Sequence, residues 1–132
     1  MQYFYAVVHK DEDSAFGVTF PDLPGCFSAA DRMEDVLPGA CEALELWFED
    51  AAHVTPMRLD QVRAQVATDL AEGAFLIAVP RIRRTGRVVR ANISIDRGML
   101  DAIDRVATER NLTRSAFLAD AALKEIEGYS RG

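Results

Sequence analysis

The sequence is poor in the residues on which several classes of protein depend. Its 132 residues include two cysteines, Cys26 and Cys41, and two histidines, His9 and His53. Two isolated thiols do not make a disulfide framework and indicate buried core residues in a reducing compartment. The isolated histidines have neither a catalytic partner nor a metal-ligand spacing. We therefore predict a protein that is not an enzyme, with no catalytic residues, no metal and no cofactor.

Long apolar runs are also missing. A membrane helix needs about 20 consecutive apolar residues, and no stretch of the sequence approaches that length. The first residues, Met1-Gln2-Tyr3-Phe4, lack the basic start of a secretory signal. We therefore expect a cytoplasmic protein with no membrane partner.

Positive charge is scarce in the first part of the chain. Residues 1–80 contain four basic and fourteen acidic side chains, a net charge of −10. Residues 81–132 contain eleven basic and seven acidic side chains, a net charge of +4. The total of −6 hides this contrast. Such a split indicates an acidic module followed by a basic one.

Residues 1–80 follow the pattern of a small α+β domain. Aromatic and β-branched runs predict four strands, and apolar residues repeating every three or four positions predict two helices. The order β-β-β-α-α-β predicts a two-layer fold, with the sheet on one side and the helices on the other. The strands are expected at 3–8, 16–20, 26–30 and 74–79, and the helices at 31–51 and 55–73.

Local signals refine these elements. Pro24-Gly25 predicts a tight turn with Gly25 at positive φ. Asp31 and Glu34 have the spacing of a capping box at a helix start. Pro38-Gly39 conflicts with a continuous helix from that cap, so we expect a kink or a later start. The second helix is expected to open at Thr55-Pro56 and to close at Gly73.

Residues 81–88 are predicted to form a basic linker, since they are rich in arginine and include a glycine. Residues 89–132 then form a second module. Its first seven residues alternate strictly, which predicts a strand with one apolar and one polar face. Two helices follow, the first capped by Asp96 and the second beginning at Thr113, with Asn111 in the left-handed position between them. The apolar face comprises Val89, Ala91, Ile93 and Ile95.

A strand followed by two helices is the layout of a ribbon-helix-helix DNA-binding unit. A lone strand and two short amphipathic helices cannot complete a core, so we predict a homodimer in which two strands pair into a ribbon. Such a ribbon fits the DNA major groove. Arg90, Asn92 and Ser94 would then read bases, because all three side chains can hydrogen-bond base edges. The alternative is that they form only the solvated face of an edge strand.

The second helix of this module adds a candidate phosphate site. Thr113, Arg114 and Ser115 lie where first-turn amides and the helix dipole favour an anion. We predict that they bind a DNA phosphate. Arg87 and the other linker arginines would add salt-dependent attraction to the DNA backbone.

Several segments resemble a known family. Three segments resemble the N-terminal domain of HicB antitoxins: Phe20-Pro21-Asp22-Leu23-Pro24-Gly25-Cys26, Ala29-Ala30-Asp31 and Glu42-Ala43-Leu44. The ribbon-helix-helix domain that many HicB proteins carry is similar to residues 90–95 and 113–118. Pro38-Gly39 and the helix between Arg58 and Gly73 depart from the family pattern.

The resemblance implies a function for each module. Residues 1–80 would form a partial ribonuclease-H-like domain that binds and masks a HicA-like, mRNA-cleaving toxin. Residues 89–132 would bind operator double-stranded DNA and repress the operon that encodes both proteins. Tyr3-Phe4-Tyr5-Ala6 lacks the carboxylate of a ribonuclease-H active site, so we expect a catalytically inactive fold.

Other interpretations stay open at this point. One is a stand-alone ribbon-helix-helix regulator whose N-terminal domain senses a small ligand. Another is a weak hydrolase that uses Asp22 and Asp31, which requires clustered carboxylates in a pocket. A tetramer of ribbon dimers, associated through the N-terminal domains, is equally compatible with the sequence.

Overall fold

The computed structural model describes residues 1–128. It divides into two compact units, one from Met1 to Arg83 and the other from Arg84 onward. This division falls inside the segment 81–88 that the sequence predicts as a linker. The last four residues of the predicted second module, 129–132, lie outside the described residues. None of the described helices has both the length and the apolarity needed to cross a bilayer.

The first unit is a four-stranded antiparallel sheet with three α-helices, which confirms the α+β prediction. The strands lie in the order β3-β2-β1-β4. The strands are β1 (Gln2–Lys10), β2 (Phe16–Thr19), β3 (Phe27–Ala30) and β4 (Phe75–Arg81), and the helices are α1 (Val36–Glu49), α2 (Leu59–Gln65) and α3 (Ala67–Ala71).

Helices cover both faces of this sheet, so the predicted two-layer arrangement is wrong. The ring centroid of Phe4 lies 5.4 Å from that of Phe48, on α1. Val7 instead packs against Val62 of α2 and Val66 at its end. Phe4 and Val7 are three residues apart on β1 and therefore point to opposite faces. The physical reason is that β1 is apolar on both sides, which is typical of a strand buried on both faces.

The first helix starts later than its predicted cap. The capping box at Asp31 is wrong, because a 3-10 turn occupies Met33–Asp35 and Asp35 is the residue that precedes α1. Pro38 is the third residue of α1. Its missing N–H therefore falls among the first-turn amides, which have no intrahelical acceptor. Of the two predicted outcomes, a kink or a later start, the later start is confirmed.

Gly39 brings α1 close to β3. A Cβ at this position would lie 2.7 Å from Ser28 Oγ, closer than real Cβ atoms come to another atom. Alanine favours a helix over glycine by up to about 1 kcal/mol, and the Ser28 hydroxyl opposes that gain. We expect Gly39→Ala alone to change the free energy of unfolding by less than about 0.5 kcal/mol, but to raise it by about 0.5–1 kcal/mol in a Ser28→Ala background. Urea unfolding of both backgrounds measures this, and equal effects in the two would contradict the close contact.

The loop between β2 and β3 is held in place by hydrogen bonds. The Cys26 N–H donates to the Leu23 carbonyl at 3.0 Å, closing a turn around Pro24 and Gly25. Gly25 has φ +82°, which confirms the predicted positive φ. Trp47 Nε1 donates to the Pro24 carbonyl at 3.0 Å, which ties the turn to α1.

The second predicted helix is divided into two shorter helices, α2 and α3. It opens at Arg58 rather than at Thr55-Pro56, because the Gln61 side chain accepts the Arg58 N–H at 3.2 Å and so completes the first turn. Val66, with φ −106° and ψ 22°, interrupts it between α2 and α3. Gly73 follows α3 at φ +102°, which confirms the predicted close.

Arg81 belongs to the sheet and not to the linker. It pairs with Gln2 at the end of the β1–β4 ladder, and its Nη1 donates to Gln2 Oε1 at 3.2 Å. Its guanidinium lies 3.7 Å from the ring centroid of Phe48. The predicted end of this strand at residue 79 is wrong: β4 continues through Pro80 to Arg81, because it is an edge strand and an edge tolerates proline.

The second unit contains the two predicted helices, α4 (Arg97–Glu109) and α5 (Arg114–Glu127). Their predicted caps are confirmed. Asp96 and Thr113 each accept, through a side-chain oxygen, the N–H three residues ahead at 3.1 Å. Asn111 has φ +57°, the left-handed conformation predicted between the helices.

The predicted strand at 89–95 is not formed in this chain. Residues 87–96, all of which the structure describes, have no regular secondary structure. The reason is physical: a strand exists only where its backbone groups find a ladder partner. The expected partner is a second copy, so the strand stays a prediction for the dimer.

Candidate functional site

The predicted base-reading residues share one exposed segment. Arg90, Asn92 and Ser94 all have exposed side chains and lie within five residues of one another, directly before α4. The structure therefore brings this donor and acceptor set to the surface.

The positions of that segment that alternate with the polar set are apolar, and they are exposed as well. Val89 is 82% exposed, Ile93 62% and Ile95 38%. Exposed aliphatic side chains of this size each forgo roughly 1.5–3 kcal/mol of burial free energy. A segment that is apolar at every second position and exposed throughout has the character of a strand without its partner.

The helices of the second unit also leave apolar surface uncovered. Among its described residues, the apolar side chains classed as buried are Ile103 and Ala107. The apolar side chains of α5 are only partly covered, with Phe117 half-buried and Ile126 47% exposed. This core is small for an independent unit.

The predicted phosphate site lies at the start of α5. Thr113 is the N-cap, and its hydroxyl accepts the Ala116 N–H at 3.1 Å. Arg114 and Ser115 supply the first two amides of the helix, which have no acceptor within it. The site is therefore built from the backbone of Arg114 and Ser115.

A carboxylate that the sequence did not predict lies beside this site. Arg114 donates through Nε and Nη2 to the two carboxylate oxygens of Asp104, at 2.9 and 2.8 Å. This bidentate pair lowers the pKa of Asp104 below its ordinary 3.8 and raises the pKa of Arg114. The Arg114 side chain is engaged between α4 and α5, so its predicted phosphate contact would come from its N–H. Ten positions separate the two residues, which is no recognisable local spacing.

The remaining arginines of the basic segment lie near the boundary between the units. Arg83 and Arg87 are exposed. The Arg87 N–H donates to Thr85 Oγ1 at 3.3 Å, which leaves its guanidinium uninvolved in that contact. Arg81 does not belong to this set, because it stacks on Phe48 in the first unit.

Of the two carboxylates in the hydrolase interpretation, Asp22 has a structural contact and Asp31 is exposed. Asp22 Oδ2 accepts the Met57 N–H at 3.1 Å and so fastens the β2–β3 loop to the segment before α2. Asp31 is exposed in the turn after β3. Within residues 1–128, no group of three or more His, Cys, Asp or Glu side chains is placed to hold a metal ion.

Both cysteines are buried and outside any disulfide, as the sequence predicts. Cys26 Sγ donates to the Ala43 carbonyl at 3.6 Å. Burial, helped by the nearby Asp22 carboxylate, raises the pKa of Cys26 to about 11. This thiol is therefore protonated at neutral pH, unlike a nucleophilic cysteine.

A surface depression of about 420 Å³ lies on α2 and α3. Four of the five residues that line it are exposed. Ligand sites bury most of their ligand, so this depression does not favour the ligand-sensing interpretation. Its lining residues are Asp60, Arg63, Ala64, Ala67 and Leu70.

Comparison with known proteins matches this chain to HicB-type antitoxins. The family model described as a HicB-like antitoxin of bacterial toxin–antitoxin systems matches residues 4–122. The crystal structure of the Burkholderia pseudomallei antitoxin HicB is similar with a TM-score of 0.53 and 33% identity, over 97% of this chain and 99% of that one. The antitoxin HicB3 crystal structure is similar with a TM-score of 0.53 and 25% identity, over 95% and 98%.

A third solved structure is a HicA3 and HicB3 toxin–antitoxin complex. Its similar chain has a TM-score of 0.50 and 22% identity, over 60% of this chain and 96% of that one, which shows a shared fold. The family match spans most of the chain and both units, and it indicates a regulatory rather than an enzymatic role. The chain belongs to the HicB-like antitoxin family of bacterial toxin–antitoxin systems.

Proposed function

We propose that this chain binds and neutralises a cognate HicA-like, mRNA-cleaving toxin and represses its own operon as a dimer on operator DNA. The observation that carries the proposal is family membership combined with the opposite charge of the two units. Both tasks place the protein in the bacterial cytoplasm, where mRNA and the operon are found.

The first unit suits a basic protein partner. Its net charge of −8 over residues 1–83 repels nucleic acid and attracts a protein that itself binds RNA. A similar fold occurs in the HicA3 and HicB3 complex, in which an antitoxin accompanies its toxin. Neutralisation then follows if the acidic unit covers the toxin surface that would meet mRNA.

The second unit suits DNA when two copies combine. Pairing two 89–95 segments antiparallel would satisfy their backbone groups and bury Val89 and Ile93 from each copy. The opposite face of that ribbon would carry Arg90, Asn92 and Ser94 twice, related by two-fold symmetry. A two-fold reading surface fits a palindromic operator.

The proposal predicts that a short basic protein is encoded next to this chain, and co-expression of the two chains tests the toxin role. A tag on one of the two chains should recover both in a stable complex, and the purified complex should no longer cleave RNA. If the tagged antitoxin is recovered alone, the proposal fails for the toxin. If it then still binds the DNA upstream of its own gene, the protein is a stand-alone regulator.

The base-reading role is tested by Arg90→Ala. A bidentate arginine–guanine contact contributes about 1–3 kcal/mol of discrimination. We therefore expect the ratio of affinities for the upstream DNA and for an unrelated duplex to fall by roughly 5- to 150-fold. Fluorescence anisotropy at one fixed salt concentration measures both affinities.

Arg87→Ala is the matched control for Arg90→Ala. It removes the same charge from the linker, so it should weaken binding to both duplexes alike and leave their ratio unchanged. A lower ratio in Arg87→Ala, or an unchanged one in Arg90→Ala, would contradict the assignment of the reading face.

A further inference from the structure

One half of a sheet face in the first unit is uncovered. On this face Val7 packs under α2. The ladder continues outward from Val7 to Thr19 of β2 and then to Phe27 of β3. Phe27 is 70% exposed. Among residues 1–128, the helices on this face therefore cover β1 and leave the outer strands open.

Two residues further along the strands, the same face has small residues on β2 and β3. His9 pairs with Gly17, and Gly17 pairs with Ala29. A Cβ on Gly17 would meet no atom within 4 Å. The four residues Gly17, Thr19, Phe27 and Ala29 form what we call the β2–β3 surface, on which Phe27 stands above a shallow floor.

This surface ends at an open strand edge. The Phe20 N–H donates to the Cys26 carbonyl at 3.2 Å, so this pair faces inward across the β2–β3 ladder. Backbone groups alternate along an antiparallel strand, so those of Ser28 also face β2. The N–H and C=O groups of Phe27 and Ala29 therefore point away from β2, to the free edge.

The other edge of the sheet is less suited to pairing. β4 ends in Pro80-Arg81, and Pro80 has no N–H to offer. Pro80 must also turn its ring nitrogen outward, since it lies within the β1–β4 ladder. The β3 edge thus combines unpaired backbone groups with an exposed aromatic side chain, and the β4 edge does not.

Charge selects the kind of partner that fits the β3 edge. Asp31 directly follows β3 and is exposed, and Asp69 lies 3.6 Å from His9 at the inner side of the surface. The first unit, residues 1–83, has six basic and fourteen acidic side chains, a net charge of −8. Two copies of it would repel each other, whereas a basic polypeptide would be attracted.

We propose that the β2–β3 surface is where the toxin docks: an extended segment of the basic toxin pairs with the β3 edge and receives Phe27 in an apolar contact. The proposal rests on the toxin role proposed above. Strand addition at an edge supplies backbone hydrogen bonds, and a large aromatic side chain next to that edge supplies an interface anchor.

Three variants of the full chain test this docking surface against the basic toxin that the proposed function expects to be encoded next to it. Phe27→Lys removes the anchor and adds a like charge, and should weaken toxin affinity by about 30-fold or more. Ala29→Pro removes one outward N–H without disturbing the β2 ladder, and should weaken it by about 10-fold. Leu46→Lys is the matched control, because Leu46 is 58% exposed on α1, and should stay within about twofold of wild type.

The outcomes separate this inference from the function on which it rests. If the wild-type chain does not bind the toxin, the proposed function fails. If the wild type binds and Phe27→Lys and Ala29→Pro bind as tightly, the toxin docks elsewhere and the inference is wrong. Loss of self-association in Phe27→Lys with unchanged toxin affinity would assign the surface to a second copy and would also overturn it. Trp47 fluorescence during urea unfolding checks that each variant keeps the fold of the first unit.

Discussion

Replacing Ile93 by aspartate should abolish both dimerisation and operator binding. Ile93 is 62% exposed in the single chain and lies on the apolar face of the predicted ribbon. Dimerisation would bury that face, and a buried carboxylate costs several kcal/mol in each copy unless it is paired. Two facing aspartates would add mutual repulsion. We expect the dimer to dissociate at least about 1,000-fold more readily, measured by sedimentation equilibrium.

Ser94→Asp distinguishes this mechanism from a general effect of charge. It adds the same carboxylate one residue away, on the polar face of the predicted ribbon. The ribbon should still form, so Ser94→Asp should remain dimeric while losing DNA affinity through repulsion by phosphate. A monomeric Ser94→Asp or a dimeric Ile93→Asp would show that the two faces are not arranged as proposed.

The sequence predicts most of the fold because local patterns decide most of it. The four strands follow from β-branched and aromatic runs, and the caps at Asp96 and Thr113 follow from local side-chain chemistry. Gly25 and Asn111 take positive φ where the turn and the helix end require it. Each of these features is determined within a few residues.

The errors arise where the outcome depends on distant residues. The second helical layer depends on Val7 meeting Val62, 55 positions away, and no periodicity in the sequence reports that contact. Arg81 joins β4 because Phe48 offers its ring face, although its neighbours predict a solvated linker.

The two candidate surfaces differ in how far the sequence reveals them. The alternation of apolar and polar residues at 89–95 directly predicts that Arg90, Asn92 and Ser94 share one polar face. The β2–β3 surface cannot be predicted in the same way, because a phenylalanine in a short strand, such as Phe27, is expected to be buried. Its exposure follows from where α2 ends on the sheet, which is a property of the tertiary structure.

Replacing Phe4 by alanine should cost the first unit about 3–5 kcal/mol of stability. Phe4 is 0% exposed, and its ring packs against Phe48, over which the Arg81 guanidinium lies. Removing the ring leaves a cavity between β1 and α1 that this three-part stack cannot fill by small shifts. Such a loss is a large part of the stability of a unit of this size.

Trp47 allows this loss to be measured in the first unit alone. It is the single tryptophan of the chain, and its indole N–H donates to the Pro24 carbonyl, so its fluorescence reports on this unit and not on the helices of the second. Tyr3→Ala is the matched control. Tyr3 precedes Phe4 on β1 and is 48% exposed, so its truncation should cost less than about 1 kcal/mol. Equal shifts of the urea midpoint for Tyr3→Ala and Phe4→Ala would contradict the packing of β1 on α1. We expect the midpoint of Phe4→Ala to shift further than that of Tyr3→Ala. At a urea concentration between the two midpoints, Phe4→Ala should fail to capture the toxin because its first unit has unfolded, whereas Tyr3→Ala should still bind.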